Sequence, residues 1–326
     1  MDVMQVNVES AREQIVERRQ KLESAIATLG PRADLTALLF EVDAALERLA
    51  IGTYGLCDTC HEPVEADRLM TDPLVRLCLD HLTPAEQRAL EHDLELAARV
   101  QQGMLPDVSR INCGWEVAYS YRPARIVSGD YCDLVSIDGD LYFMLGDVSG
   151  KGVAAATVMA QLHAMFRALL PANVPLGELV GRASRLFCES TLPSHYATLV
   201  CGRARSNGEI EVCNAGHVPP LVARSSGVTP LPPGGMPIGM FFAQQFDVQQ
   251  VRLAPGDMLV LCSDGLTETE QGDGEPFGLD RLGAILQHHA TSAPPAIVDA
   301  CLHRVDSWRG ARQANDDVTL MVVRRP

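Results

Sequence analysis

YATLVCGRARSNGEIEVCNAG, residues 196–216, sets Asn207-Gly208 between two runs of strand-forming residues. Asn-Gly readily supplies the left-handed backbone of a tight hairpin, so the two runs are predicted to fold back on each other as antiparallel strands. Downstream, FDVQQVRL (246–253) alternates like a half-exposed strand. Upstream, VAAATVMAQLHAMFRALL (153–170) is apolar nearly all round and is predicted to be a buried helix. Strands joined by hairpins, with helical runs between hairpin groups, imply an α+β fold of antiparallel sheets covered by helices rather than a parallel doubly wound sheet.

The chain has 326 residues, 47% hydrophobic and 21% charged, enough for one large domain and a smaller one. Its 27 basic and 42 acidic side chains leave a formal charge of −15. That balance repels nucleic-acid phosphates and anionic membrane surfaces, so no direct nucleic-acid ligand is expected. The start, MDVMQVNVESAREQ, lacks a cationic patch followed by an apolar run, and no uninterrupted apolar stretch reaches about 18 residues. A cytoplasmic protein without a membrane partner is the expectation.

Four segments are predicted. Residues 1–51 read as a helical hairpin: a charged helix over 8–29, a stop at Gly30-Pro31, then Leu35, Leu38, Leu39, Val42, Leu46 and Leu49 at helical spacing. Residues 52–82, broken by Gly55, Pro63 and Pro73, fit only short elements and need another source of stability. Thr83-Pro84-Ala85-Glu86 is a capping box that opens a connector helix over 83–106, ending at Pro106. Its stripe of Leu90, Leu94, Ala97 and Met104, interrupted by Gln101, suits either packing on a neighbouring domain or a dimerising, signal-transmitting role. Residues 107–326 form the large domain.

Within that domain, SGDYCD (128–133), GDVSGKG (146–152), SDGLTE (263–268) and NDDVTL (315–320) each set an Asp at a strand end or beside Gly. Carboxylates on rigid strand edges suit hard cations such as magnesium or manganese, which take oxygen ligands. GDVSGKG is no phosphate-binding loop of the G-x-x-x-x-G-K-[ST] type, because Gly152 follows Lys151. Elsewhere, Cys57-x2-Cys60 and Cys78-x2-His81, separated by residues 61–77, make two knuckles at zinc-ribbon spacing. Three thiolates and an imidazole around one structural zinc would explain how so short a segment folds. His61 is a weaker ligand candidate, and the other seven of ten cysteines stand singly in apolar surroundings, as buried free thiols do.

In the order SGDYCD, GDVSGKG, NAGHVPPLV, MPIG, SDGLTE and NDDVT, residues 115–324 resemble the SpoIIE-like branch of the PPM phosphatases. ELAARVQQGMLP (95–106) is similar to the helix that precedes the catalytic domain there. The resemblance implies an αββα sandwich of two antiparallel sheets flanked by helices, and a metal-dependent serine/threonine protein phosphatase. By the family's motifs, Asp130 and Asp147 would bind two manganese or magnesium ions with the Val148 carbonyl, and Asp264 and Asp316 would complete the coordination of the second ion. Asp133 and Asp317 correspond to accessory carboxylates. His217 would either donate a proton or brace the sheet, and Arg125 would either orient phosphate or stand solvated. Hydrolysis would be direct, by metal-activated water and without a side-chain nucleophile.

The resemblance further implies a STAS-type anti-sigma-factor antagonist as the phosphoprotein, in stress-response signalling regulated through the N-terminal module. Two positions depart from the pattern: Ser149 stands where eukaryotic-type relatives carry a His, and Ser128 replaces the first Gly of Gly-Gly-Asp. Residues 33–82 resemble the zinc finger of DksA/TraR-type proteins, with His61 in place of a usual Gly and His81 where Cys is common. The hairpin turn LGPRAD lacks a paired acidic tip, which favours a sensory, docking or dimerising role, including a homodimer through the connector. The competing reading is a zinc-finger transcription regulator or scaffold with a non-catalytic phosphatase fold. Loss of a core Asp would favour it, and none is lost.

Overall fold

The computed structural model describes residues 3–326 apart from 31, 66, 67, 70, 71, 243 and 273, and side chains apart also from those of 3–10, 13, 29 and 34. Two compact units result, Met1–His92 and Asp93–Pro326. Pro31, half of the predicted helix stop, lies outside the described residues.

In the first unit, α1 (Val3–Leu29) and α2 (Ala33–Ile51) pair as a hairpin. Ile15, Leu22, Val42 and Ala45 are buried between them together with Leu74 from the Cys-containing segment. Gly52, at φ 77°, ends α2 and returns its N–H to the Arg48 carbonyl, a left-handed cap that glycine adopts without steric cost. Tyr54 Oη donates to the Pro73 carbonyl at 3.0 Å and so ties the segment's two ends.

The capping box opens α3 (Pro84–Gln102): Thr83 N–H and Oγ1 donate to Glu86 Oε2, at 2.9 and 2.6 Å, and Glu86 N–H returns to Thr83 Oγ1. It stops short of Pro106, because the chain tightens at Gly103 into turns through Met104 and Leu105.

The second unit holds two five-stranded antiparallel sheets. One runs β1 (Glu116–Arg122), β10 (Val318–Arg324), β9 (Met258–Cys262), β6 (Leu221–Arg224), β7 (Gly227–Pro230). The other runs β2 (Asp130–Ile137), β3 (Asp140–Val148), β4 (Ala197–Ala204), β5 (Glu209–Ala215), β8 (Gln249–Arg252). Asn207-Gly208 turns β4 into β5, and Asp138-Gly139, both left-handed at φ 52° and 84°, turn β2 into β3. Between the sheets lie Phe143, Leu145, Leu261, Met321 and Val323, all at most 1% exposed, each worth about 1.5–3 kcal/mol of burial.

Two helices, α4 (Gly152–Leu169) and α5 (Leu176–Ser190), cover the outer face of the β2 sheet. After the short α6 (Asp264–Thr267), α7 (Gly278–His288) and α8 (Pro294–Arg309) cover the outer face of the β10 sheet. The result is an αββα sandwich. The predicted all-round burial of the 153–170 helix is corrected: only the stripe Ala155, Val158, Met159, Leu162 and Phe166 is buried, and Val153 is 54% exposed. Its even apolarity comes from alanines on the outer face. By length and composition Gly152–Ala172 is apolar enough to cross a membrane, yet here that stripe is packed into the helix-on-sheet core.

Candidate active site and zinc site

The β2–β3 hairpin register sets Asp130 directly opposite Asp147, at the sheet end where both strands leave the core. Asp264 begins α6 just past β9, and Asp316 precedes β10, which pairs with β9. The sheets meet here: Thr319 Oγ1 of β10 makes a short hydrogen bond to Asp130 Oδ2 of β2. Four carboxylates from distant stretches of sequence therefore face one edge of the sandwich.

Their electrostatics show the cost of that assembly. Asp130 is 1% exposed, and burial followed by the repulsion of Asp147 pushes its carboxyl well above the usual range. Burial, then Asp264, Asp316 and Asp317, push Asp147 up to about 7. Asp264 is raised by burial and by Asp316. Lys151 opposes this repulsion: its Nζ donates to Asp316 Oδ2 at 2.8 Å and to the Asn315 carbonyl at 3.0 Å. Carboxylates that burial and mutual repulsion hold toward protonation form a donor set that added divalent charge would relieve.

The space around Gly129 belongs to this cluster. A Cβ there would sit 3.1 Å from the Val148 carbonyl oxygen and 3.2 Å from Asp147 Oδ1, so both oxygens crowd one point that a side chain would enter only by pushing them aside by a few tenths of an ångström. Asp317 does not face the cluster as a free ligand: its Oδ1 accepts from Ala124 N–H at 2.7 Å and its Oδ2 from Gly129 N–H at 3.0 Å. It thereby pins both ends of the loop that carries Arg125, which is exposed.

Asp133 is not brought into the cluster. Side chains alternate along a strand, so three residues beyond Asp130 it points to the helical layer, where Arg167 Nε and Nη2 donate to it at 2.7 and 2.6 Å. His217 is 7% exposed, with Nδ1 2.8 Å from Thr198 Oγ1 and, among the described residues, no hydrogen-bond partner on Nε2, and burial drives its imidazole down to about 4. Two hydrogen bonds with the Asn214 side chain clip its main chain into the turn after β5.

Some of the supporting residues carried no signal in the linear reading. Gln101, read there as a break in an apolar stripe, is 6% exposed: its Nε2 donates to the Ser128 carbonyl at 2.7 Å and its Oε1 accepts from Ser128 N–H at 3.0 Å. Ser128 Oγ in turn accepts from Asp130 N–H at 3.0 Å, so the serine that replaces a glycine braces the turn. Lys151 was read only to reject a phosphate loop. Polar residues inside apolar patterns, like Gln101 and Thr319, are the signal that could have found such partners.

In the first unit, one donor atom from each of Cys57, Cys60, Cys78 and His81 lies within 4.8 Å of the others. Cys60 Sγ is 3.8 Å from Cys78 Sγ, and Cys78 Sγ is 3.1 Å from His81 Nδ1. Cys57 and Cys78 are buried. This is the N/S donor set of a tetrahedral zinc site. His61 stays outside it and sits at φ 60°, the left-handed backbone for which the finger's usual glycine suits that position. Among the described residues, no three carboxylates of the Asp cluster gather as closely as the finger's donors.

A helix-flanked double sheet with this Asp-lined edge has the αββα architecture of PP2C-type domains, accompanied by a Cys3His finger. Residues 137–326 match the family model of Stage II sporulation protein E (SpoIIE), and residues 52–80 match that of the prokaryotic dksA/traR C4-type zinc finger. The first match takes in more than half of the chain, which belongs to the SpoIIE family. Phosphoserine phosphatase RsbU of Bacillus subtilis (strain 168) is 28% identical over 249 residues, 73% of this chain and 72% of RsbU. Protein IcfG of Synechocystis is 28% identical over 263 residues, and the chain spans only 41% of its length. Among solved structures, the SiaA-PP2C domain of Pseudomonas aeruginosa superposes with a TM-score of 0.67 at 20% identity, over 74% of this chain and 99% of that one, a likeness of fold. The RsbU and RsbW domains of Rv1364c from Mycobacterium tuberculosis give 0.59 at 28% identity, over 68% and 61%.

Proposed function

We propose that the chain is a metal-dependent phosphatase acting on phosphoserine or phosphothreonine of a STAS-type phosphoprotein, in the cytoplasm. The observation that carries this is the convergence of Asp130, Asp147, Asp264 and Asp316 on one edge, with Asp147 held near 7. With the Val148 carbonyl, these four would hold two manganese or magnesium ions. When bound, such ions lower the pKa of water toward neutrality and offset the charge of the phosphoryl oxygens during in-line attack.

The chain's own residues supply position. Asp317 fixes the 124–129 loop, with Arg125 standing at its exposed side, and the Ser128 turn orients Asp130. His217, neutral above about pH 4 and enclosed, braces the turn and is no proton donor near neutrality. Ser149 Oγ accepts from Tyr196 N–H at 3.0 Å and holds the neighbouring loop. In the finger, Cys57, Cys60, Cys78 and His81 would hold one structural zinc. Regulation from the first unit is supported by α3, which begins at Pro84 and carries Gln101 to the Ser128 turn. That helix also suits a homodimer contact.

The test is hydrolysis of p-nitrophenyl phosphate by the full chain with manganese or magnesium, then of a phosphorylated STAS protein. The reading expects metal-dependent turnover of both, abolished by EDTA. Turnover equal in wild type and Asp147→Ala would overturn it, and turnover of the small ester alone would overturn the protein substrate.

A further inference from the structure

Beside the Asp cluster the surface turns apolar. Phe241 is 57% exposed, Phe242 61% and Leu192 65%, with Tyr196, Met236 and Met240 also exposed. Single exposed apolar residues are ordinary, but six on two adjoining loops form the kind of patch that marks an interaction site.

The backbone fixes where this patch lies. Val148, next to Asp147, pairs with Ala197 of β4. Ala197 in turn exchanges two hydrogen bonds with Ile238, N–H to carbonyl at 3.0 Å and carbonyl to N–H at 2.9 Å. Ile238, the anchor of the 236–242 segment, thus lies two strand positions from the Asp147 strand, roughly 10 Å at strand spacing. Ser149 and Tyr196 exchange a second pair, 2.9 and 3.0 Å, which fastens the Leu192–Tyr196 loop to the same Asp147 turn. Ile238 is fully buried in the helix-on-sheet core, Gly239 N–H donates to Ser184 Oγ at 3.3 Å, and Gln244 Nε2 donates to the Met236 carbonyl at 2.8 Å. The loop is therefore anchored by Ile238, and the two phenylalanines beyond it are not needed by the core.

Charge argues for what covers them. A phosphoserine carries about −1.5 to −2 and meets a chain of net charge −15, so long-range attraction cannot gather such a substrate. Short-range apolar contact beside the cluster can, with methionine adapting to differing shapes.

Resting on the phosphatase reading above, we propose that the Leu192–Tyr196 and Met236–Phe242 loops form a docking patch that selects phosphoproteins bearing an apolar side chain near the phosphoserine. Along an extended segment the roughly 10 Å offset corresponds to about three residues.

The test compares two phosphoserine peptides of equal charge and length, one with Phe three residues from the phosphoserine on either side and one with Asn there. With manganese, full-length wild type is expected to favour the Phe peptide about tenfold in kcat/KM. Phe241→Ser/Phe242→Ser should bring that ratio close to one, and Phe241→Leu/Phe242→Leu, which keeps the apolar surface, should retain most of it. Hydrolysis of both peptides at equal kcat/KM by wild type would overturn the docking patch while sustaining the phosphatase reading. So would a preference that survives the serine variant, or a serine variant whose change is confined to oligomeric state by light scattering. Hydrolysis of neither peptide, nor of p-nitrophenyl phosphate, would overturn the phosphatase reading and this inference with it.

Discussion

The finger and the phosphatase edge collect metal-type donors by opposite routes. In the finger, donors between Cys57 and His81 gather within 4.8 Å, in a segment whose buried apolar residues are few. At the phosphatase edge, donors between Asp130 and Asp316 come from two sheets, and a large core holds them while their charges repel. A thiol is neutral when protonated and an imidazole when deprotonated, so these donors can approach one another without a counterion. Carboxylates at neutral pH cannot, and here Lys151 and the raised pKa values of Asp130, Asp147 and Asp264 absorb part of the repulsion. A finger of this kind depends on its ion to fold, whereas the phosphatase unit should fold first and bind afterwards.

The sharpest break in this comparison is Asp147→Ala, expected to lower kcat/KM on the order of 10²–10³-fold while zinc content by elemental analysis stays at one per chain. A loss of zinc in that variant would mean that the two sites are not separable. Next comes Cys57→Ser/Cys78→Ser, which should abolish bound zinc and open residues 52–82 to proteolysis, with catalysis largely retained. Collapse of catalysis with an intact C-terminal fold would instead make the finger an obligate activator.

A third expectation concerns pH. Asp130 and Asp147 bind protons in the folded state at pH values where the unfolded chain has released them, so stability must fall as pH rises from about 4 to about 7. For Asp147 this is worth about 2 kcal/mol once its partial exposure is discounted. Thermal midpoints of protein freed of exchangeable ions should drop across that range, and Asp147→Asn should flatten the slope. Added manganese should restore stability at high pH. A midpoint that rises from pH 5 to 7 in the absence of ions would contradict the assignment. The smallest effect is expected at Gln101→Ala, which leaves the Ser128 N–H and carbonyl unpaired at a cost of about 1–3 kcal/mol. Its readout is a roughly tenfold lower kcat at unchanged zinc content, and Gln101→Glu, which keeps one acceptor, should lie between.

How much could be read in advance depended on how local the information was. Cys57-x2-Cys60 and Cys78-x2-His81 encode their own geometry, because two donors three residues apart need only one turn of backbone to face one ion. Asn207-Gly208 encodes its hairpin equally locally. The Asp130 and Asp147 pairing was half legible, since a two-residue turn at Asp138-Gly139 forces that register once both flanks are strands. Asp133, which the family's motif grouped with the accessory carboxylates, is set by strand parity on the opposite face, where Arg167 binds it.

By itself, then, the sequence determined the finger's donors, the hairpins and the presence of four Asp motifs, all of which depend on residues within a few positions of one another. Only the tertiary structure decided that β9 and β10 carry Asp264 and Asp316 to the edge where β2 and β3 carry Asp130 and Asp147, because that meeting depends on two sheets packing face to face. The same packing decided the partners: Thr319 for Asp130, Lys151 for Asp316, Gln101 for Ser128. A polar side chain's role depends on what lies across a few ångströms of space, and for these residues that neighbour is 27 to 189 positions away along the chain.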